Sequence, residues 1–278
     1  MRKTAILLAM IVAAPAQAQV PEQAGPPRGA PAPVEGWNIT VGVAPVLSPA
    51  WQGSRDTTLA LFPDLRVNYR DILFASVPDG VGWNAVNGGG WRVGPLVKVR
   101  FGRDEENGGS PFLVAGGSDA LVGMGDVKAA AEPGVFVEKA FGRREQWRVR
   151  TELRRGFGGH EGVLADASVS YRARAGRTIV NIGPRITAAS SSFMQTYFGI
   201  DAGQAQRTGL ARYDANGGIL SYGLGGSMIR PLDRRSAVTL FTSLERLGAP
   251  ASESPLVRER GRPTQFMLGL GYGYRFGL

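Results

Sequence analysis

The chain has 278 residues, 43% of them hydrophobic, with no cysteine, one histidine and a formal charge of +9. That length holds one or two domains or a single large barrel, and the lack of cysteine excludes disulfides, cysteine-anchored lipoproteins and His/Cys metal clusters. No apolar run in the mature chain approaches the ~20 residues of a spanning helix, which excludes a helical inner-membrane protein.

The N-terminus has the form of an export signal. Arg2 and Lys3 form a basic start, Ala5 to Val12 a short apolar core, and Ala16-Gln17-Ala18 an A-x-A site. Residues 1–18 are therefore expected to be removed by cleavage between Ala18 and Gln19. Residues 19–36 carry Pro21, Pro26, Pro27, Pro31 and Pro33, the composition of an extended periplasmic linker. Folded sequence is expected over 37–278. The positive charges are scattered, so an exported chain of this kind points to lipid headgroups, lipopolysaccharide or cell-wall polymer and not to nucleic acid.

From Trp37 onward the hydrophobic period is two. In "WNITVGVA" Trp37, Ile39, Val41 and Val43 alternate with Asn38, Thr40, Gly42 and Ala44. In "WRVGPLVKVRF" Trp91, Val93, Val97, Val99 and Phe101 oppose Arg92, Gly94, Lys98 and Arg100. In "WRVRTELR" Trp147, Val149 and Leu153 oppose Arg148, Arg150, Glu152 and Arg154. Such alternation marks strands with unlike faces. Twelve segments carry it: 37–46, 58–70, 72–77, 80–87, 91–101, 127–140, 145–155, 162–174, 178–188, 218–230, 236–246 and 265–276. Pro63, Pro95, Pro133 and Pro184 fall inside these segments, where each removes a ladder hydrogen bond and predicts a bulge or a break.

The face opposite the apolar one is charged in both signs. It carries Arg66, Arg92, Lys98, Arg100, Lys128, Arg148, Arg150, Arg154, Arg172, Arg174, Arg185 and Arg275. Asp64, Glu132, Glu138, Glu152, Asp166 and Glu245 share it. A soluble β-sandwich also alternates, but long charged rows suit the wet interior of a barrel whose outer face meets lipid. Connection lengths agree. Tight links at 70–71, 87–90, 141–146, 175–177 and 231–236 alternate with longer ones near 47–57, 102–126, 156–161, 189–217 and 247–264, and only 77–80 departs from the pattern. Short periplasmic turns opposite long outer loops characterise outer-membrane barrels. The expectation is an all-β, closed antiparallel transmembrane barrel of about 12 strands.

"QFMLGLGYGYRFGL" would close that barrel, with Phe266, Leu268, Leu270, Tyr272, Tyr274 and Phe276 facing lipid and Gly269, Gly271, Gly273 and Arg275 facing inward. Tyr272, Tyr274 and Phe276 make the aromatic end expected of an outer-membrane assembly signal. Trp37, Trp91, Trp147, Tyr69 and Tyr274 lie near strand ends, as interfacial girdles require.

Candidate chemistry is sparse. "GGHEGVLADASVS" sets His160 near Glu161, Asp166, Ser168 and Ser170, the raw material of a hydrolase if nucleophile and base meet; a polar loop histidine is the default. The glycines of "GLGYGYRFG" lack the following helix that a phosphate loop needs. "GMGD" at 123–126 is a turn before a strand, with Asp126 the weaker alternative of a cation ligand. No catalytic residue set, metal site or cofactor is implied. Tyr197, Phe198, Leu210 and Tyr213 make the 189–217 loop apolar enough to pack into the lumen and constrict it.

Several stretches together resemble the MltA-interacting protein (MipA)/OmpV family. They are "GSRD" at 53–56, "FP" at 62–63, "GR" at 102–103, "GMGD" at 123–126, "GFGGHEG" at 156–162, "GPR" at 183–185 and "YFGI" at 197–200. "GLARYDANGG" at 209–218, "ERL" at 245–247, "SPLV" at 254–257 and the final strand continue the series in order. The resemblance implies an outer-membrane barrel without a catalytic set. Its founding member is regarded as a scaffold joining a lytic transglycosylase of the murein to a penicillin-binding protein; other members are linked to osmotic response or adhesion. The expectation is accordingly a non-enzymatic envelope scaffold. A narrow anion-preferring diffusion pore is the alternative, and an outer-membrane hydrolase stands last.

Overall fold

The computed structural model describes residues 36–277. The expected signal, its Ala18/Gln19 cleavage site, residues 19–35 of the expected linker and Leu278 lie outside the described residues.

Alternation becomes strand wherever it was long. The elements are β1 (Trp37–Pro49), β2 (Thr57–Tyr69), β3 (Leu73–Ser76), β4 (Gly80–Trp83), β5 (Val86–Gly88), β6 (Trp91–Arg100), β7 (Leu113–Gly116) and β8 (Ala130–Phe141). They continue with β9 (Trp147–Arg155), β10 (Phe157–Gly158), β11 (Val163–Ala175), β12 (Thr178–Ala189), β13 (Gly218–Pro231), β14 (Ser236–Leu247) and β15 (Thr264–Gly277). Every pairing is antiparallel, and β15 returns to β1 from Asn38↔Gly277 to Leu47↔Leu268. The sheet closes into a barrel of twelve staves, counting the broken β4–β5 as one and setting aside the rim pieces β7 and β10. The aromatic last strand is the closing one.

The fold follows from the two faces. Val41, Val43, Leu65, Val135, Leu153, Ile182, Leu224, Leu244 and Leu270 are exposed outward, where hydrocarbon is their solvent. At the short-turn end Trp37 stacks on Tyr69 at 4.7 Å, Trp147 on Tyr171 at 4.8 Å, and Lys139 sits 4.7 Å over the Trp91 ring. Part-apolar, part-wet rings belong at that depth.

The four prolines sit at ladder breaks. Pro63 lies between the stretches of β2 that pair with β7 and β3. Pro95 lies between the parts of β6 that pair with β5 and β4. Pro133 follows the β10-paired end of β8 and precedes Gly134, where pairing with β9 begins. Pro184 falls in the interruption of the β11–β12 ladder between Ser168↔Arg185 and Tyr171↔Ile182, across which the register is unchanged. Each missing N–H thus coincides with an interrupted partner, so few ladder bonds are lost.

Three strand expectations need correction. Segment 80–87 is two strands, turned at Asn84 and Ala85, whose Asn84 Nδ2 donates to the Asp71 carbonyl at 2.6 Å. Strand β8 begins at Ala130, so Lys128 lies exposed in the loop before it and not on the inner wall. The 189–217 and 247–264 links are not plain loops. They hold α1 (Ser191–Phe198), α2 (Ala202–Thr208), α3 (Ala249–Ser252) and α4 (Pro255–Arg260).

Local sequence explains the helices. Phe193, Met194, Tyr197 and Phe198 form one apolar face of α1. Asp201 and Gln204 make a reciprocal capping box at α2, and Gly209 ends it in the left-handed region. Pro250 and Pro255 stand in the first turns of α3 and α4.

Candidate functional site

The inner wall of β6, β8, β9 and β11 carries a ladder of ion pairs. Period two puts Arg148, Arg150, Glu152 and Arg154 on one face of β9, and register sets Glu138 opposite Arg150 and Asp166 opposite Glu152. Two carboxylates directly opposed repel, so the ladder holds only because cations interleave. At the short-turn end Arg92 bridges Asp71 (2.8 Å) and Glu138 (3.0 Å), and Glu138 also meets Arg148 (3.5 Å) and Arg150 (3.3 Å). Arg150 and Lys98 reach Glu152 at 2.7 Å each. Arg154, fully buried, contacts Glu132, Glu152 and Asp166, and Arg100 meets Glu132 at 2.5 Å. Gly134 makes room for this: a Cβ there would lie 2.5 Å from Arg154 Cγ.

Farther round, Arg185 pairs with Glu245 at 3.4 Å and Arg66 with Asp64 at 2.7 Å. Between these pairs, β1, β2, β14 and β15 carry an apolar patch on the inner wall. Ala44, Val46, Ala60, Phe62, Phe241 and Met267 pack together there, with Phe112 of the 101–126 loop against them. The lumen therefore carries a charged ladder and, apart from it, an apolar patch edged by Asp64, Arg66 and Glu245.

His160 belongs to the ladder, which corrects the expectation of a polar loop residue. It is 2% exposed, with Nε2 2.9 Å from Glu132 Oε1 and Nδ1 accepting from the Gly162 N–H at 3.2 Å. Gly156 admits the ring, since a Cβ there would fall 2.1 Å from it. Asp166 instead accepts from Thr187 Oγ1 at 2.6 Å and from Arg154. Neither Ser168 nor Ser170 is a partner of His160, so the serine-histidine pair that a hydrolase needs is not assembled among the described residues. Asp126 holds the Glu105 N–H, and the Gly123 and Gly125 amides hold Glu105 Oε2 at 2.9 Å each, so "GMGD" is a turn that binds its own chain's carboxylate.

Above the ladder the outer loops form a hydrophobic core of their own. Phe193, Met194, Tyr197 and Phe198 of α1 are buried with Trp51, Leu121, Met124, Leu256 and Val257, and with Leu210; Tyr213 packs against them from the side. Side chains tie the layers to backbone. Arg103 Nη1 donates to the Tyr197 carbonyl at 2.6 Å, Ser254 Oγ to Phe198 at 2.6 Å, Gln204 Nε2 to Met124 at 2.7 Å, and the Tyr213 hydroxyl to Pro250 at 2.9 Å. The inner face of this cap rests on the ladder: Phe193 lies 5.0 Å from the His160 ring and 5.0 Å beneath the Arg100 guanidinium. Burial without a carboxylate partner lowers the Arg103 guanidinium to about 10.

The short-turn end differs. Arg172, Arg174 and Arg275 line the inner mouth, and Arg70, Arg143, Arg144, Arg177, Arg230, Arg234 and Arg235 crowd the turns around it. Among the described residues none of these is ion-paired to a carboxylate, and Arg275 Nη2 donates only to the Arg234 carbonyl at 3.0 Å. The excess positive charge of the chain is gathered here as a collar. These arginines are scattered in the sequence because the collar draws them from several separate turns. Tyr272, Tyr274 and Phe276 face outward at the same end, with Tyr274 4.8 Å from Phe276.

The profile of the MltA-interacting protein MipA family matches residues 41–276. Curated proteins give no match. Among solved structures the chain is similar to the COG4313 outer membrane channel from Pseudomonas putida F1, with 14% identity, a TM-score of 0.48, and coverage of 90% of this chain and 99% of that one. It is also similar to the NanC porin (9% identity, TM-score 0.39, 86% and 98% covered) and to an anion-selective porin from Comamonas acidovorans (9%, 0.32, 86% and 98%). With nearly all of the described chain matched by the family profile, and the closed barrel in place, this chain belongs to the MltA-interacting protein MipA family of outer-membrane β-barrels.

Proposed function

We propose that this protein is a non-enzymatic barrel that docks envelope partners on its periplasmic face and passes little solute through its lumen. The observation that carries the reading is the contrast between its ends. Wall arginines such as Arg100 and Arg154 are held by carboxylates in the ladder beneath a packed cap, whereas among the described residues those of the collar make no ion pair with a carboxylate. Uncompensated charge at a rim is a recognition surface, because it steers and orients an acidic partner.

The family's namesake is described as interacting with MltA. For this chain the partner class that follows is a murein lytic transglycosylase, with a penicillin-binding protein as the second element of the scaffold. Export by residues 1–18, with cleavage after Ala18, delivers the chain to the outer membrane, where lipid and lipopolysaccharide surround it. The narrow-pore reading draws support from the same collar, since arginines at an inner mouth favour anions.

Cross-linking in intact envelopes tests the docking reading. The quadruple variant Arg143→Glu/Arg144→Glu/Arg234→Glu/Arg235→Glu should keep heat-modifiable migration, because all four side chains are exposed. It should lose most of the murein enzymes captured by the unmodified protein. Undiminished capture would count against the collar as the docking face.

A further inference from the structure

The barrel wall is not of even height. Between β2, 13 residues long, and β6, 10 residues long, stand only the 4-residue strands β3 and β4. β3 pairs with Arg66–Tyr69, and β4 meets β6 at Leu96 and Val97. Above that hairpin a gap remains. Among the described residues, Phe62 to Leu65 on one bank and Lys98 to Arg100 on the other have no strand paired on the side facing it. Only the 110–116 segment crosses the top, where β7 pairs with Thr58–Ala60 and the Leu61 N–H donates to the Phe112 carbonyl at 2.8 Å.

That hydrogen bond fixes how the β2 bank is oriented. Alternate residues of a strand point their N–H groups the same way, so positions 63 and 65 aim at the gap as Leu61 does. Position 63 is proline, which has no N–H to leave unpaired in hydrocarbon. Proline there spares the bank one of its two gap-facing N–H groups, that of Leu65 being the other. Toward lipid the rim is apolar, with Leu61, Leu65, Val97 and Val99 on the banks and Val77 and Val81 on the hairpin below, all exposed. Behind the β2 bank lies the apolar patch of the lumen that includes Ala60 and Phe62. Phe112 is the stopper, its ring 5.1 Å from Phe62 and 6.2 Å from Phe101. Gly108-Gly109 and Gly116-Gly117 bracket the stopper segment, all with positive φ. Such positions swing at low steric cost.

We propose that this gap is a lateral portal through which an alkyl chain enters from the bilayer, displaces Phe112 and lies along the apolar wall of β1, β2, β14 and β15. The chemistry of the ligand follows from the place. What reaches a valine- and leucine-rimmed opening at hydrocarbon depth is hydrocarbon, and inside it the apolar patch adjoins the β2 bank while Lys98 and Arg100 of the β6 bank are engaged by ladder carboxylates. A free fatty acid and the tail of a membrane lipid share that chemistry.

The lack of cysteine gives a clean test. Leu59 and Ala115 are register partners, so the pair Leu59→Cys/Ala115→Cys can staple the stopper segment to β2. Full-length protein in phosphatidylethanolamine nanodiscs is titrated with dansyl-undecanoic acid. Saturable binding is expected for the unmodified and reduced proteins, with an at least tenfold loss on oxidation that reductant restores. Phe112→Ala should tighten binding several-fold without the staple. Competition by oleate, with no phospholipid retained after delipidation, would make the ligand a free fatty acid; a retained phospholipid seen by mass spectrometry would make it a lipid tail. Equal binding by oxidised and reduced pairs, or no saturable binding by either the unmodified protein or Phe112→Ala, would overturn the portal.

Discussion

His160 Nε2 lies 2.9 Å from Glu132 Oε1, at the level where the cap of loops rests on the charged wall. Because Nδ1 accepts the Gly162 N–H, the ring proton sits on Nε2 and is donated to the carboxylate. This is a neutral donor serving a carboxylate already held by Arg100 and Arg154. Removing the donor is therefore expected to cost about 1–3 kcal/mol. Removing the acceptor leaves two buried guanidinium groups without their shared anion, a loss of about 3–5 kcal/mol. His160→Ala should lower the temperature of heat-modified migration modestly and Glu132→Ala markedly. The reverse order would show that the histidine, not the ladder, anchors the cap.

The last strand offers a facing test. Leu270 is 51% exposed on the lipid side, and an arginine there costs about 2–4 kcal/mol near the midplane. Gly271 faces inward with room for a side chain, its nearest neighbours 3.7 Å from an added Cβ. Assembly into the outer membrane should suffer from Leu270→Arg and tolerate Gly271→Ser. Gly269 is a third arm, because a Cβ there would lie 2.2 Å from the Phe241 ring. Gly269→Ala should resemble the lipid-face variant in severity although it faces inward.

Much of this was legible from alternation alone. The outward row from Phe266 to Phe276 and the charged rows of β6, β8 and β9 needed only the period of a strand, which backbone pleating imposes everywhere. Pro63, Pro95, Pro133 and Pro184 even marked the ladder breaks. His160 was not legible, since burial of a loop residue depends on Phe193 and Tyr197 arriving from 30 and more residues away. Nor were the helices of the cap read, although Asp201 and Gln204 spell a capping box and Phe193, Met194, Tyr197 and Phe198 spell a helical face. Period-two reading is blind to such short period-3.6 runs.

Arg103 is the cap's exception, a buried cation whose hydrogen bond goes to a carbonyl and not to a carboxylate. Its folded-state pKa of about 10 lies well below that of a free guanidinium, so the protonated form is penalised in the fold. Below pH 10 folded and unfolded chains both hold the proton, and the penalty is constant. Above about 10 and up to the pKa of a free guanidinium the folded chain releases it first, and stability from this group rises with pH. Heat-modification temperatures of the unmodified protein and Arg103→Met should differ by a constant amount from pH 6 to 9. Above pH 10 the difference should move in favour of the unmodified protein. A difference already changing between pH 6 and 8 would point to another titrating group.

Conductance separates a sealed scaffold from a pore. Tyr197 and Phe198 lie in the inner layer of the cap with Phe193, whereas Leu210 and Tyr213 follow α2 in its outer layer. Unmodified protein in planar bilayers should therefore pass little steady current. Deleting residues 203–214 removes the ties from Gln204 to Met124, from Arg260 to Thr208 and from Tyr213 to Pro250, but leaves α1 seated on Arg100 and His160. Flickering openings are expected from that deletion alone. Steady current is expected once Phe193→Ala and Tyr197→Ala are added. The open state should prefer anions, because among the described residues Arg172, Arg174 and Arg275 at the inner mouth form no ion pair with a carboxylate while the ladder above them is largely self-neutralised. Converting those three to Glu should reverse the preference without changing the size of the current much. Large, stable channels from the unmodified protein would instead put diffusion ahead of docking, and silence from every variant would rule the diffusion reading out.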